Sequence, residues 1–459
     1  MCHSFLVNSL MLRRGFTWQL HSSTAHPDFN LTSNLYRHSV LRSPLIHLST
    51  KDTHKACAVL FRTTPENDRG APHCLEHLVL CGSQRYPVRD PFFSMLNRSL
   101  NTYMNAWTGP DFTAYPFSTL NSKDFENLLR VYLDSVLFPR LRDIDFKQEA
   151  VRLEMTEKGL VYGGVVFNEM KGAMTEPQAH FLHQLSKHLY PGTTYQYNSG
   201  GDPEAIPQLT NAELKAFHRR FYHPSNSTIF LYGDMDISRT LALIDEEYFH
   251  KFQYQEVDSE VKPAKRLSAP IRLKQPCAPS PAPIDPAAQA MFAVSFLCDS
   301  ACADPYTAFC LSVLSAVLHD GQKSPLYLAL LESGLGKEYV PGAGFDHSTK
   351  EAAFTMGVNG CKEAEIDQIA AVINTTLRGI VDKGVPTDLL ESAIHQIEIK
   401  QVLASAERSE KQLRTGTHQR HDALRTAWRQ SSHSPQYQRV LKSLERGLGS
   451  GKTGLSGPH

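Results

Sequence analysis

The chain has 459 residues, with 47 Lys or Arg matched by 47 Asp or Glu, so it carries no formal net charge at neutral pH. That balance supplies no global field for nucleic acid or an anionic membrane. At 41% hydrophobic and 20% charged residues it is an ordinary globular composition, long enough for two or three domains, and no run of about 18 apolar residues marks a membrane span.

Residues 1–27 hold no acidic side chain but contain Arg13, Arg14, several serines and the apolar Phe5, Leu6, Leu10, Met11 and Leu12. This fits a short mitochondrial transit segment over residues 1–14, whereas Asn8 and Ser9 interrupt the apolar run a secretory signal needs. The nine cysteines include no C-x-x-C pair, and their odd number argues against a complete disulfide framework.

Ala56–Phe61 reads as a buried strand, and the segment after it carries the strongest chemical signal. His73-Cys74-Leu75-Glu76-His77 is an H-x-x-E-H run. Pro72 suits a first helical turn, Gly82 suits its stop, and Leu75, Leu78 and Val79 form an apolar stripe. On that helix His73 and His77 lie one turn apart on one face. Two imidazoles so placed can reach one zinc ion, with Glu76 able to hold a water against it. With 21 histidines in the chain, roughly 0.05 such matches arise by chance. An isolated His pair at this spacing is more often a surface or packing feature, and a catalytic zinc also needs a third protein ligand. Cys74 points away from the pair and reads as a buried free thiol.

Asn101–Trp107 and Asp111–Ser118 read as strands joined through Thr108-Gly109-Pro110. Phe125, Leu128, Leu129, Tyr132, Leu133 and Val136 then recur at helical spacing until Pro139, and a further helix is expected to hold Glu149 to Leu153. Past Gly163-Gly164, residues Val165–Gly172 open a helix on which Glu169 is the candidate third ligand; alone, a Glu there is usually an exposed helix-start carboxylate. His180, His183 and His188 lack an acidic partner and read as exposed helix residues, as do His218 and His223. Ser227–Tyr232 is a strand closed by Gly233-Asp234. The mixture predicts an α+β layer, a sheet covered on one side by helices.

From Pro263 to Pro286 the chain carries seven prolines, the composition of an extended connector, placed at 261–287. A second domain over 288–408 follows, with strands Met291–Leu297 and Ala352–Val358 and helices Pro305–Leu318, Glu365–Lys383 and Thr387–Arg408. It loosely repeats the first domain's plan without a second H-x-x-E-H. Residues 409–459 read as a disordered tail. Its Gly451-Lys452-Thr453 is no phosphate loop, because position 446 is Arg and no strand–helix frame surrounds it.

Taken together, Ala71–Leu100, Asn105-Ala106-Trp107-Thr108, Tyr115–Thr119, Gly164–Gly172 and Tyr222–Asn226 resemble the presequence-protease branch of the pitrilysin/insulysin metallopeptidases, over about residues 15–405. The resemblance implies two homologous M16-type domains, each a mostly antiparallel sheet covered by helices: a catalytic one over 15–260 and a second, non-catalytic and incomplete. It implies one Zn2+ per chain held by His73, His77 and Glu169, with Glu76 as general base. Asn105 and Ala106 would pair through their backbone with an extended substrate, and Leu80 and Trp107 would line the scissile bond. The implied substrates are unfolded peptides such as cleaved mitochondrial presequences, and the implied location is the mitochondrial matrix. Members of the family are much longer, two similar halves closing around the peptide. The Arg and Tyr that reach the substrate from the second half have no counterpart here. Two further readings stay open: a β-like subunit of the mitochondrial processing peptidase, completed by a partner chain, and a non-catalytic peptide-binding form.

Overall fold

A computed structural model describes residues 17–157, 159–277, 285–298 and 304–406. The transit segment expected at 1–14 and the tail expected at 409–459 lie outside these residues. The described chain forms two compact units. One joins the residues up to Met174 with Tyr197–Val261, and the other joins Thr175–Gln196 with the residues from Lys262 onward. Thr175–Gln196 thus groups with the second unit, although the sequence places it inside a continuous 15–260 domain.

The first unit runs β1 (Trp18–His26), β2 (Leu31–His38), β3 (Pro44–Thr50), β4 (Lys55–Arg62), α1 (Ala71–Val79), α2 (Pro91–Arg98), β5 (Asn101–Met104), β6 (Trp107–Thr108), β7 (Phe112–Thr119), α3 (Ser122–Leu137), α4 (Asp143–Glu149), β8 (Arg152–Thr156), β9 (Gly159–Gly163) and α5 (Val165–Met174). In chain order α6 (Pro177–Leu189) comes next, in the other unit, and then α7 (Asn211–Phe221), β10 (Ser227–Tyr232) and α8 (Ile237–Glu247) return to the first.

Its eight-stranded sheet has the order β1-β2-β3-β10-β4-β7-β5, with β6 also paired to β7. Every pairing is antiparallel except that of β10 with β3. The central strands are apolar along their length because their side chains are buried: in β4 only Leu60 and Arg62 escape full burial. Helix α3 starts where the Asn121 side chain accepts from the N–H groups of Lys123 and Asp124 at 2.9 and 3.0 Å. Its apolar stripe, Phe125 through Val136, is buried as the spacing predicts. With Val59, Phe117, Leu75 and Leu78 it forms one continuous core, so α1 is anchored to the sheet.

Two predicted elements differ. The expected helix over Glu149–Leu153 does not form: α4 ends at Glu149, and Arg152 opens β8, which pairs with β9 from Arg152↔Gly163 to Thr156↔Gly159. Hydrogen bonding to β9 overrides local helical preference there, and buried Ala150 and Val151 make the corner. The strand expected over Asn101–Trp107 breaks at Asn105-Ala106 into β5 and β6.

Gly164, between β9 and α5, has φ +148°, and a Cβ there would lie 2.3 Å from the Ala150 carbonyl oxygen. Only glycine allows α5 to start so close to the end of α4. Gly164→Ala is therefore expected to destabilise the protein by more than about 2 kcal/mol, beyond an ordinary loop substitution. Chemical denaturation of the variant checks this, and an unchanged midpoint would contradict it.

The second unit adds β11 (Ala290–Cys298), α9 (Pro305–His319), a π-helical turn at Tyr327–Glu332, β12 (Glu338–Tyr339), β13 (Gly344–Asp346), β14 (Ala352–Cys361), α10 (Ile366–Lys383) and α11 (Thr387–Ala406). Its sheet has four strands, β11-β14-β12 with β13 also on β14. Leu311, Leu314 and Leu318 of α9 and Ile369, Ile373 and Leu377 of α10 pack on Phe354, Met356 and Val358 of β14. The strand–helix order of β4, α1, β7 and α3 recurs in β11, α9, β14 and α10, the duplication expected from the sequence. Between Lys251 and Ala290 the described residues form neither helix nor strand.

Candidate metal centre

Helix α1 begins after Gly70, whose φ of +70° is left-handed and whose hypothetical Cβ would lie 2.7 Å from the Gly200 carbonyl oxygen. That close approach has a use, because the same carbonyl accepts a hydrogen bond from His73 Nδ1 at 3.1 Å. A carbonyl can only accept, so Nδ1 carries the proton and Nε2 is left with its lone pair. One turn later, His77 Nδ1 meets the Glu149 Oε2 carboxylate oxygen at 3.4 Å, which fixes the same tautomer. The two rings lie 5.1 Å apart at an interplanar angle of 73°.

Both free Nε2 atoms face one oxygen of Glu169, on α5. The distances are 3.7 Å from His73 and 3.9 Å from His77, too long for hydrogen bonds. Ligand atoms each about 2 Å from a tetrahedral zinc stand ~3.3 Å apart. One donor atom from each of His73, His77 and Glu169 lies within 4.8 Å of the others, and among the described residues no other such group of His, Cys, Asp and Glu occurs. The spacing and the two inward lone pairs fit a single divalent cation, and three nitrogen and oxygen donors suit zinc with one position left open.

The electrostatics agree. Burial opposes protonation of His77, yet the Glu149 hydrogen bond and the charges of Glu76, Glu149 and Glu169 outweigh it and raise the pKa. The site therefore carries a surplus of negative charge that a cation would neutralise. Glu76 is only 8% exposed. Burial drives its pKa up and the Glu169 charge adds to this, while the Thr108 hydrogen bond and the two histidines only partly offset the rise. Thr108 Oγ1 donates to Glu76 Oε2 at 2.6 Å.

The substrate-contact candidates fall around this cluster. Leu80 caps α1, and both it and Ala106 are half-buried against the core. Trp107 is half-buried on β6 next to Thr108, while Asn105 is exposed at the break between β5 and β6. The Asn105 N–H bonds the Pro116 carbonyl at 3.1 Å, and the Ala106 N–H bonds the Asn105 side chain at 2.9 Å. Strand β5 ends the sheet order.

Three contributors, Glu149, Thr108 and the Gly200 carbonyl, were not among the candidates, because each meets its partner across a long stretch of chain with no local pattern. Cys74 is a fully buried free thiol, as expected. The histidines outside the site need correction. His218 is not exposed: its Nε2 bonds the Val136 carbonyl at 2.8 Å and burial lowers its pKa to about 4. His223 is buried and accepts from the Ser225 N–H at 3.1 Å. His180, His183 and His188 are half-buried on α6.

Comparison with known proteins fits this geometry. Residues 61–191 match the Insulinase (Peptidase family M16) model, and residues 208–397 match the Peptidase M16 inactive domain. The mitochondrial presequence protease of Danio rerio is 44% identical over 382 residues, 82% of this chain and 37% of that protein. That of Mus musculus is also 44% identical, over 84% of this chain and 38% of that protein. The chain thus spans less than two fifths of the length of these curated relatives. The solved M16 inactive domain from Pseudomonas fluorescens superimposes with a TM-score of 0.56 at 16% identity, covering 89% of both chains, which shows the shared fold. With H-x-x-E-H on α1, a duplicated α+β plan and both family models matched in sequence order, the chain belongs to the M16 peptidase family and resembles its presequence proteases.

Proposed function

We propose that the chain carries the zinc-dependent catalytic portion of an endopeptidase for short, unstructured peptides. The observation that carries the reading is the convergence of His73, His77 and Glu169 beside the buried Glu76. A zinc ion, when bound by those three, would supply Lewis acidity for a peptide carbonyl and for a water. The chain's own residues do the rest. With Oε2 of Glu76 held by Thr108, the carboxylate can take a proton from water and return it to the departing amine. Its raised pKa suits both transfers. Gly200 and Glu149 keep the two imidazoles in the tautomer a metal requires. The exposed end of the sheet at Asn105 and β6 offers a place for an extended peptide to lie beside the base.

The names of the relatives support presequences as substrates and the mitochondrion as the location; the matrix, and presequences already cleaved from their proteins, are our finer reading. The chain spans less than two fifths of the length of those relatives. That coverage favours one other reading, a peptide-binding form without turnover. The 44% identity to presequence proteases supports this branch over a processing-peptidase subunit.

The deciding experiment measures zinc content and hydrolysis of an internally quenched peptide by the purified chain, with and without chelator. One zinc per chain and chelator-sensitive turnover are expected. Peptide binding without turnover would select the second reading, and a chain that holds no zinc would overturn both assignments of the site.

A further inference from the structure

We infer that Thr108 is a positioning residue for the general base: its hydroxyl fixes the carboxylate plane of Glu76 and so sets the rate of proton transfer. This rests on the peptidase reading above. Thr108 Oγ1 lies 2.6 Å from Glu76 Oε2, at the short end for a hydroxyl–carboxylate hydrogen bond. A carboxylate on a flexible side chain has two equivalent oxygens, and pinning one aims the other. A donor that turned freely would not do this.

The backbone holds the donor firmly. Strand β6 pairs with β7 through Trp107↔Ala114 and Thr108↔Thr113. Immediately after it the Gly109 N–H bonds the Phe112 carbonyl at 2.7 Å, closing a tight turn. A Cβ on Gly109 would come within 2.5 Å of the Phe112 ring, so that turn is packed shut as well as hydrogen-bonded. Behind Thr108, the Thr113 and Thr63 hydroxyls are fully buried and bond each other at 2.7 Å. One of those two hydroxyls donates to the other, while Thr108 donates to Glu76. Since Trp107 shares the same two-residue strand, the segment expected to meet substrate is also the one that orients the base.

The test compares Thr108→Val, which keeps the shape and removes the donor, with Thr108→Ser, which keeps the donor and removes the methyl. Thr108→Val should lower kcat about tenfold to hundredfold, the range for loss of a residue that supports a catalytic group, with KM and zinc content unchanged. Thr108→Ser should recover most of that loss. A second readout does not depend on turnover. Thermal unfolding of Thr108→Val should show a Tm loss in the native background that shrinks in a Glu76→Ala background, the sign of a direct coupling between the two side chains. Unchanged kcat in Thr108→Val, an equal defect in both variants, or an equal Tm loss in both backgrounds would each overturn the inference. An inactive wild-type chain would instead overturn the peptidase reading, so the two failures are told apart.

Discussion

Glu76→Gln is expected to cut peptide hydrolysis by about 10²- to 10⁴-fold, the usual effect of removing a general base, while zinc stays bound at one per chain. Gln matches Glu in shape, and its carbonyl can still accept from Thr108 Oγ1, so the α1 geometry has no reason to change. It has no lone pair basic enough to take a proton from water. The three donors that would hold the ion, His73, His77 and Glu169, are untouched. Stability should move the other way. The pKa of Glu76 is raised chiefly by burial, so the folded state disfavours its ionised form, and above that pKa the charge works against folding. A neutral isostere removes that cost, and the Tm of the zinc-free variant should equal or exceed that of the zinc-free wild type. Turnover, metal analysis and calorimetry on the same preparations check all three. Wild-type turnover in Glu76→Gln would mean that another group takes the proton.

The helix bearing H-x-x-E-H was legible because its cues coincide over ten residues: a proline in the first turn, an apolar stripe and two histidines one turn apart. Glu169 was legible for a weaker reason, its place near the start of a helix after two glycines. The supporting contacts were not. Glu149 sits in a segment read as the start of a helix, when in fact it ends one; its value lies in facing His77, and no local pattern encodes that pairing. Thr108 looked like part of a turn between strands, yet it occupies the last position of β6 and reaches Glu76. The error at Glu149–Leu153 has the same root. Arg152 to Thr156 alternates polar and apolar residues, but only pairing with Gly159–Gly163 decides for a strand. His218 and His223 were misjudged because polar side chains read as exposed by default, whereas here each is drawn in from solvent by a partly buried hydrogen bond to the backbone. Local periodicity carried the elements; contacts distant in sequence carried the chemistry.

Glu169→Ala should abolish stoichiometric zinc binding, and with it hydrolysis, whereas Glu149→Gln should leave a weaker site. The contrast follows from their places in the structure. The Glu169 side chain is 55% exposed and converges with both Nε2 atoms, so its loss removes a donor without opening a hole in the core. The zinc-free variant should stay within about 0.5 kcal/mol of the zinc-free wild type in stability, as expected of an exposed substitution. Glu149 stands behind His77, with its side chain only 12% exposed. Gln there can still accept from Nδ1 but brings no charge, so the imidazole is a poorer donor and zinc affinity should fall about 10- to 100-fold. Competition against a zinc indicator at fixed pH ranks the three proteins. Chelator adds a second measure, since metal that binds only the folded state raises Tm: chelation should lower the Tm of the wild type, lower it less for Glu149→Gln, and leave Glu169→Ala unmoved. If Glu169→Ala bound zinc as tightly as the wild type, the third donor would have to lie elsewhere, and α5 would lose its place in the site.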